Sequence, residues 1–131
     1  MSSLKTFLTS ALISGLLALV GSPAVAMSPD DQIRFFAQCA GRLSAQMEFQ
    51  WMFDGVASER TKAERQSAID ILEAMTPPGR GREILHWRIE AKQAQAVLLS
   101  QGTFRSDDRR ARLALAMAHR QLNECRSALI S

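Results

Sequence analysis

The residues in this sequence with the most evident chemistry are its two cysteines, Cys39 and Cys125, which lie 86 residues apart. Two thiols can form a redox-active pair, bind a metal ion or join in a structural disulfide. A redox pair usually has Cys-x-x-Cys spacing at the start of a helix, and covalent haem attachment requires Cys-x-x-Cys-His. Neither pattern occurs here. The spacing therefore favours a structural cross-link.

Metal binding would need further ligands, and the sequence offers His86 and His119. Together with the two cysteines they would give the nitrogen and sulfur ligands that zinc prefers. No spacing such as His-x-x-x-His, however, fixes two ligands on one helical turn. A helical protein that binds a metal ion or a small ligand is the alternative hypothesis, and the leading interpretation has no cofactor.

Methionine sulfur is a ligand for copper, so the methionines offer a second metal hypothesis, a copper site. Five methionines follow the first residue: Met27, Met47, Met52, Met75 and Met117. Met47 and Met75 lie on apolar stripes, where a flexible thioether fills gaps in a core. Packing is therefore the simpler interpretation of these methionines.

Sequence motifs of the common catalytic sites are absent from the sequence. It contains no Gly-x-Ser-x-Gly, no His-Glu-x-x-His and no glycine-rich phosphate loop. The acidic pairs Asp30-Asp31 and Asp107-Asp108 could act as acid and base, but each lies where a helix begins. A carboxylate is stabilised there by the positive end of the helix dipole. We therefore assign the pairs to capping and expect no catalytic activity.

Residues 1–26 have the layout of a secretory signal peptide. One lysine precedes an apolar run from about Phe7 to Val20, and the small residues Ala24-Val25-Ala26 follow. The run is shorter than the roughly 20 apolar residues that a membrane span needs. We expect cleavage after Ala26 and a bacterial protein of the periplasm or the extracellular medium, without stable membrane insertion.

The remaining residues, 27–131, are enough for one compact domain and too few for two. The chain has sixteen basic and thirteen acidic residues, and one of the basic residues lies in the predicted leader. The arginines are spread along the chain. A nucleic-acid-binding domain would concentrate basic residues on one face, so we expect no nucleic-acid partner.

The first two helices are predicted from their ends and their apolar stripes. Ser28-Pro29 is a typical helix start, and Asp54-Gly55 indicates an end with glycine in a left-handed conformation. A second helix is predicted to begin at Thr61, which has capping-box spacing to Glu64. Two prolines in Thr76-Pro77-Pro78-Gly79 end it. The first stripe consists of Ile33, Phe36, Ala40, Leu43 and Met47.

A third helix is predicted over residues 82–101, ending at Gly102, and a fourth begins after Ser106. The third stripe consists of Ile84, Trp87, Ala91, Ala94 and Leu98, with Leu85, Ile89, Ala96 and Leu99 beside it. The fourth consists of Ala111, Leu115, Ala118, Leu122, Cys125 and Leu129. No segment alternates with a period of two, so the prediction contains no strand.

The expected fold is all-α, a small antiparallel up-down-up-down four-helix bundle, because short connections return each helix beside its predecessor. In that arrangement Cys39 and Cys125 lie on inward stripes at similar heights. An exported chain with two cysteines in this position is expected to form a disulfide. The sequence therefore predicts a bundle cross-linked between its first and last helices.

The end of the first helix is apolar on nearly every side, since Phe49, Trp51, Met52 and Phe53 follow one another closely. Two interpretations are open. The extended segment Val56-Ala57 and the start of the second helix would cover these side chains, or they would form an exposed patch. In the second case the patch would dock a protein partner or a second copy of the chain. The leading hypothesis is thus an exported interaction or accessory protein.

Overall fold

Four α-helices make up the described part of the computed structural model, which covers residues 26–130. They are α1 (Pro29–Phe53), α2 (Gly55–Met75), α3 (Gly81–Phe104) and α4 (Asp108–Leu129). Residues 26–130 contain no strand, so the all-helical prediction is confirmed. The predicted leader lies outside the described residues except for Ala26. The described helices include none with the length and apolar character needed to pass through a bilayer.

The first helix is the centre of the fold. α1 packs against each of the other three helices, whereas no Cα atom of α2 lies within 8 Å of a Cα atom of α3 along their described lengths. Nine of the 25 residues of α1 are buried, a larger share than in any other helix. Several are small, namely Ala37, Ala40, Gly41, Ser44 and Ala45. Small side chains let neighbouring helices approach the axis of α1 closely.

α1 and α3 approach each other closely at Gly41. A Cβ atom at this position would overlap the backbone carbonyl oxygen of Arg88 and lie 3.0 Å from the backbone nitrogen of Lys92. Both obstacles are main-chain atoms, which a side-chain rotation cannot move. Glycine at this site therefore allows backbone-to-backbone packing of the two helices.

The disulfide predicted between Cys39 and Cys125 is confirmed. It joins α1 to α4 with the two Cα atoms 5.4 Å apart, and both residues are fully buried. Around it lies one of the two apolar clusters, which also contains Ala40, Leu43, Ala68, Ile69 and Leu122. The bond therefore lies where α1, α2 and α4 meet.

A second apolar cluster joins α1, α2 and α3 and consists of Ile33, Ala37, Leu72 and Ile84. Trp87 packs against it, and the guanidinium carbons of Arg34 and Arg80 each lie 5.6 Å from the centre of the Trp87 ring. Arg80 also forms ion pairs with Asp30 and Glu83. Hydrogen bonds to Glu83 and then to Asp30 raise the pKa of Arg80. These contacts connect the start of α3 to the start of α1.

The predicted start of the second helix at Thr61 is wrong, because α2 begins at Gly55. Asp54 alone separates α1 from α2. Its backbone N–H donates to the Gln50 carbonyl oxygen at 2.7 Å, and its side chain accepts a hydrogen bond from the Ala57 N–H at 3.0 Å. One residue thus ends the first helix and caps the second. The capping-box spacing at Thr61 is coincidental, since this residue is buried within α2.

The boundary between the last two helices also differs from the prediction. α3 continues past Gly102 to Phe104, because Gly102 is a packing position and not a helix end. A Cβ atom there would overlap the side chain of Leu115 on α4. The cap of α4 is Asp107, whose carboxylate accepts from two backbone N–H groups, and not Ser106 as expected.

The buried face of α3 is narrower than its two predicted stripes. It consists of Ile84, Ala91, Gln95 and Leu99, whereas Leu85, Ile89, Ala94 and Ala96 are exposed. The amide nitrogen of Gln95 donates to the Ala118 carbonyl oxygen of α4 at 3.2 Å. This hydrogen bond joins α3 to α4 at a fully buried site, and the Oε1 atom of Gln95 has no partner among the described residues.

Removing the disulfide should lower the free energy of unfolding substantially. The bond closes a loop of 86 residues, for which the chain-entropy relation gives about 4.5 kcal/mol. Guanidinium unfolding of the oxidised protein, the reduced protein and the Cys39→Ala/Cys125→Ala variant measures this difference. Equal unfolding midpoints in the oxidised and reduced protein would contradict the stabilising role.

Substitution of Gly41 should test the backbone packing of α1 on α3. Gly41→Ala is expected to lower the free energy of unfolding by about 1–3 kcal/mol through overpacking, although alanine is favoured over glycine within helices by about 1 kcal/mol. Gly81→Ala is the control, because a Cβ at Gly81 meets no atom within 4 Å. If both variants unfold at the same denaturant concentration, α1 and α3 do not pack through their backbones at Gly41.

Candidate interaction surface

Large apolar side chains are concentrated at one end of the molecule, where α1 ends, α2 begins and α3 ends. Five of them are at least 60 % exposed: Trp51, Met52, Phe53, Val56 and Phe104. We call this surface the apolar end. Exposed aromatic side chains close to one another are uncommon on a monomer and usually mark a binding surface.

The exposure follows from how α1 and α2 are joined. Because Asp54 is the only residue between them, no extended segment is available to fold back over Trp51. Val56, which was expected to help cover this region, lies in the first turn of α2 and is itself 80 % exposed. The expectation that Val56 and Ala57 form a covering extended segment is therefore wrong. Trp51, Met52 and Phe53 are exposed, as the second interpretation requires.

Phe49 has a different environment from the three residues that follow it. It is partly buried, and its ring contacts that of Phe53 with the centroids 4.9 Å apart. Phe49 also lines a groove of about 300 Å³ between the ends of α1 and α3, together with Ala45, Glu48, Met52, Ala96, Leu99, Ser100 and Phe104. The apolar end thus combines projecting side chains with a shallow apolar recess.

Charged side chains surround the apolar end. Residues 54–62 and 105–112 contain six basic and four acidic residues. Two exposed ion pairs occur among them, Lys62 with Glu59 at 3.6 Å and Arg110 with Asp107 at 3.5 Å. Exposed pairs of this kind contribute little to stability. The surroundings are therefore mixed in charge with a small positive excess.

The ligands of the metal hypothesis are not brought together. The sulfur atoms of Cys39 and Cys125 are bonded to each other, so neither is a thiolate. His86 is exposed beside Glu90, 3.4 Å away, and His119 is exposed on α4. Residues 26–130 contain no group of three or more His, Cys, Asp or Glu side chains arranged to hold a metal ion.

The methionines are also spread over the fold. Met47 is buried and Met75 packs against the second cluster, in agreement with their predicted packing role. Met27, Met52 and Met117 are exposed, and only Met52 belongs to the apolar end.

The acidic pairs occupy helix starts, as predicted. The Ser28 hydroxyl accepts a hydrogen bond from the Asp31 N–H at 3.1 Å, and Asp107 accepts from the Arg109 and Arg110 N–H groups. Asp30 forms an ion pair with Arg80. These contacts assign the Asp107 carboxylate to helix capping and the Asp30 carboxylate to helix-to-helix pairing.

Sequence reasoning missed Phe104 as a member of the apolar end. The third helix was expected to end before it, and the proximity of Phe104 to Met52 depends on the packing of α3 along α1. The only local signal for this role was that Phe104 is an apolar residue directly before the arginine-rich segment 105–112.

Comparison of the chain with protein-family models, with curated proteins and with solved structures finds no match. Its function is therefore argued from the surface described above.

Replacing Trp51 with glutamate should change the free energy of unfolding by no more than about 0.5 kcal/mol, because an exposed site accepts a charge. Leu99→Glu is the matched control: Leu99 is 2 % exposed, and a buried unpaired carboxylate should cost several kcal/mol. Chemical unfolding followed by circular dichroism measures both. A large loss of stability in Trp51→Glu would show that Trp51 is covered.

Proposed function

We propose that this chain is an exported helical-bundle protein, periplasmic or secreted, that acts as an interaction or accessory protein by docking a protein partner through its apolar end. The observation that carries this proposal is the concentration of five apolar side chains, each at least 60 % exposed, at one end. Hydrating so much apolar surface is unfavourable. Covering it with a partner removes that cost.

The composition of the apolar end supports a protein partner. Interfaces are enriched in tryptophan, phenylalanine, methionine and arginine, with polar residues at their rim. Trp51, Phe53 and Phe104 are large side chains of the kind that anchor such interfaces. The surrounding basic excess favours a partner whose contact surface is apolar at its centre and acidic at its edge. A second copy of the chain is an outcome that the test below distinguishes.

The proposed architecture behind this surface is an antiparallel, up-down-up-down bundle. Contacts between α1 and α2 support it: Ser44 contacts Arg65, whereas Ile33, earlier in α1, clusters with Leu72, later in α2. The pairing of Cys39 with Cys125 fits the same arrangement for α1 and α4. Opposite helix directions would bring the α1–α2 and α3–α4 connections to the same end.

Export is supported by the leader pattern of residues 1–26 and by the disulfide. Structural disulfides persist mainly in oxidising compartments such as the periplasm. A mature chain beginning at Met27 would still carry every residue of the apolar end. The proposal therefore concerns the chain after removal of the leader.

The docking proposal predicts that partner binding depends on Trp51. The full chain is expressed with its leader, and mass spectrometry should show a mature N-terminus at Met27. Covalent cross-linking in the periplasm, followed by reconstitution with the purified partner, should give a complex that Trp51→Glu weakens by about 30-fold or more, the loss typical of an aromatic anchor. Val97→Glu is the control, because Val97 is similarly exposed on α3 but does not line the end groove.

Three results would contradict parts of the proposal. Equal binding by the parent and Trp51→Glu would remove the apolar end as the docking surface. A dimer in light scattering that Trp51→Glu converts to a monomer would identify the occupant as a second copy. Retention of residues 1–26 in a membrane fraction would contradict cleavage and export.

A further inference from the structure

A second recess lies between α2 and α3, away from the apolar end. The two helices are joined by residues 76–80, yet none of their Cα atoms come within 8 Å of each other along their described lengths. The space between them is a groove of about 410 Å³, here called the α2–α3 groove. Pro77 and Pro78 line it at the connection. Its walls carry Ile69 and Leu72 from α2 and Ile84 and Leu85 from α3.

One arginine, Arg88 of α3, lines the end of this groove that is remote from the connection. A second, Arg65, is not among the lining residues but precedes the lining residue Ile69 by one helical turn on α2. Both pack over the same turn of α1. The Nε atom of Arg65 donates to the Ser44 hydroxyl at 2.7 Å, and the backbone carbonyl of Arg88 lies against Gly41.

The two guanidinium groups lack a full set of acceptors in the described part of the chain. The Arg88 side chain forms no ion pair or hydrogen bond with residues 26–130, and the hydrogen bond of the Arg65 side chain uses Nε, leaving its terminal nitrogens for another acceptor. Burial, followed by the charge of Arg65, lowers the pKa of Arg88, and Glu73 acts in the opposite direction. Two like charges close together favour the arrival of an anion.

We propose that the α2–α3 groove binds a free single-chain amphipathic anion, with a carboxylate between Arg65 and Arg88 and an alkyl chain along the apolar walls. The forked donors of arginine match the two oxygens of a carboxylate. Eleven residues separate Arg65 from Thr76, a distance of about 16 Å along a helix. That length suits a medium-chain alkyl group, whose burial against Leu85 and the two prolines, the exposed apolar residues of the lining, supplies the apolar part of the affinity.

Glu73 affects which ligands the α2–α3 groove selects. It lines the groove and is exposed, so its carboxylate offsets part of the positive charge at the rim. A small anion without a chain gains only the attraction left after this offset. A neutral chain gains only the apolar contacts and gives no acceptor to the Arg88 guanidinium or to the terminal nitrogens of Arg65. Binding therefore requires both parts of the ligand.

The experiment uses the mature chain, residues 27–131, and dodecanoate below its micelle-forming concentration, with equilibrium dialysis of the labelled acid. We expect one molecule bound per chain, and much weaker binding of dodecanol and of acetate. Arg65→Gln/Arg88→Gln should weaken dodecanoate binding by at least about tenfold, because charge-assisted hydrogen bonds are lost. Arg82→Gln is the control, since Arg82 is exposed on the same helix and does not line the groove.

A second pair of variants tests the apolar wall independently of the arginines. Leu85 lines the groove and is 52 % exposed, so Leu85→Ser should weaken binding without unfolding the protein. Ile89→Ser is its control, because Ile89 is 46 % exposed one turn further along α3 and is not part of the groove. Circular dichroism checks that every variant keeps its helical content.

Four outcomes would overturn the inference: no binding of dodecanoate, equal binding of dodecanol, unchanged affinity in the double arginine variant, or equal losses in Leu85→Ser and Ile89→Ser. Binding to vesicles of anionic phospholipid without binding of free dodecanoate would assign the groove to a membrane surface instead. Trp51→Glu should bind dodecanoate like the parent, because Trp51 belongs to the apolar end. If either the docking proposal or the anion-binding proposal fails, the other is unaffected.

Discussion

The contact between the backbones of α1 and α3 at Gly41 is the constraint on which the described fold depends most. Because the Arg88 carbonyl lies against Gly41, α3 is held close to the centre of α1. The close approach brings Phe104, at the end of α3, into the same groove as Met52. It also directs the start of α3 onto the cluster of Ile33 and Ala37. The positions of both recesses follow from this one contact.

The disulfide complements that packing on another side of α1. Cys39 and Cys125 join α1 to α4 within a cluster that also includes Ala68 and Ile69 of α2. A small domain has a net stability of only about 5–15 kcal/mol. A cross-link worth about 4.5 kcal/mol is therefore a large share of the total.

The two recesses differ in chemistry because they are built from different parts of the same helices. At the apolar end, α1 continues to Phe53 and α2 follows after Asp54 alone, so aromatic side chains project into solvent. In the α2–α3 groove the helices diverge from a proline-containing connection, and Arg65 and Arg88 lie over one turn of α1. We therefore propose a protein partner for the first surface and a small amphipathic anion for the second.

Local sequence determined the features whose causes lie within one helical turn. Ser28 and Pro29 begin α1, and the prolines after Thr76 end α2, because capping and the missing proline N–H act on neighbouring residues. The spacing of the apolar residues in α1 predicted its buried face, and two cysteines that follow an export pattern predicted the cross-link. The same spacing showed that Phe49 to Phe53 carry apolar groups on every side, without showing whether they are covered.

Tertiary structure decided the features that depend on which helix lies opposite. The role of Gly102 as a packing position depends on Leu115, and the burial of Gln95 depends on the Ala118 carbonyl. Exposure of Trp51 depends on the absence of a covering segment after Asp54. Residues brought together by packing, such as Met52 with Phe104 and Arg65 with Arg88, are far apart in sequence. Local propensity does not predict that these residues are close, because they meet only when the other helices pack closely against the small residues of α1.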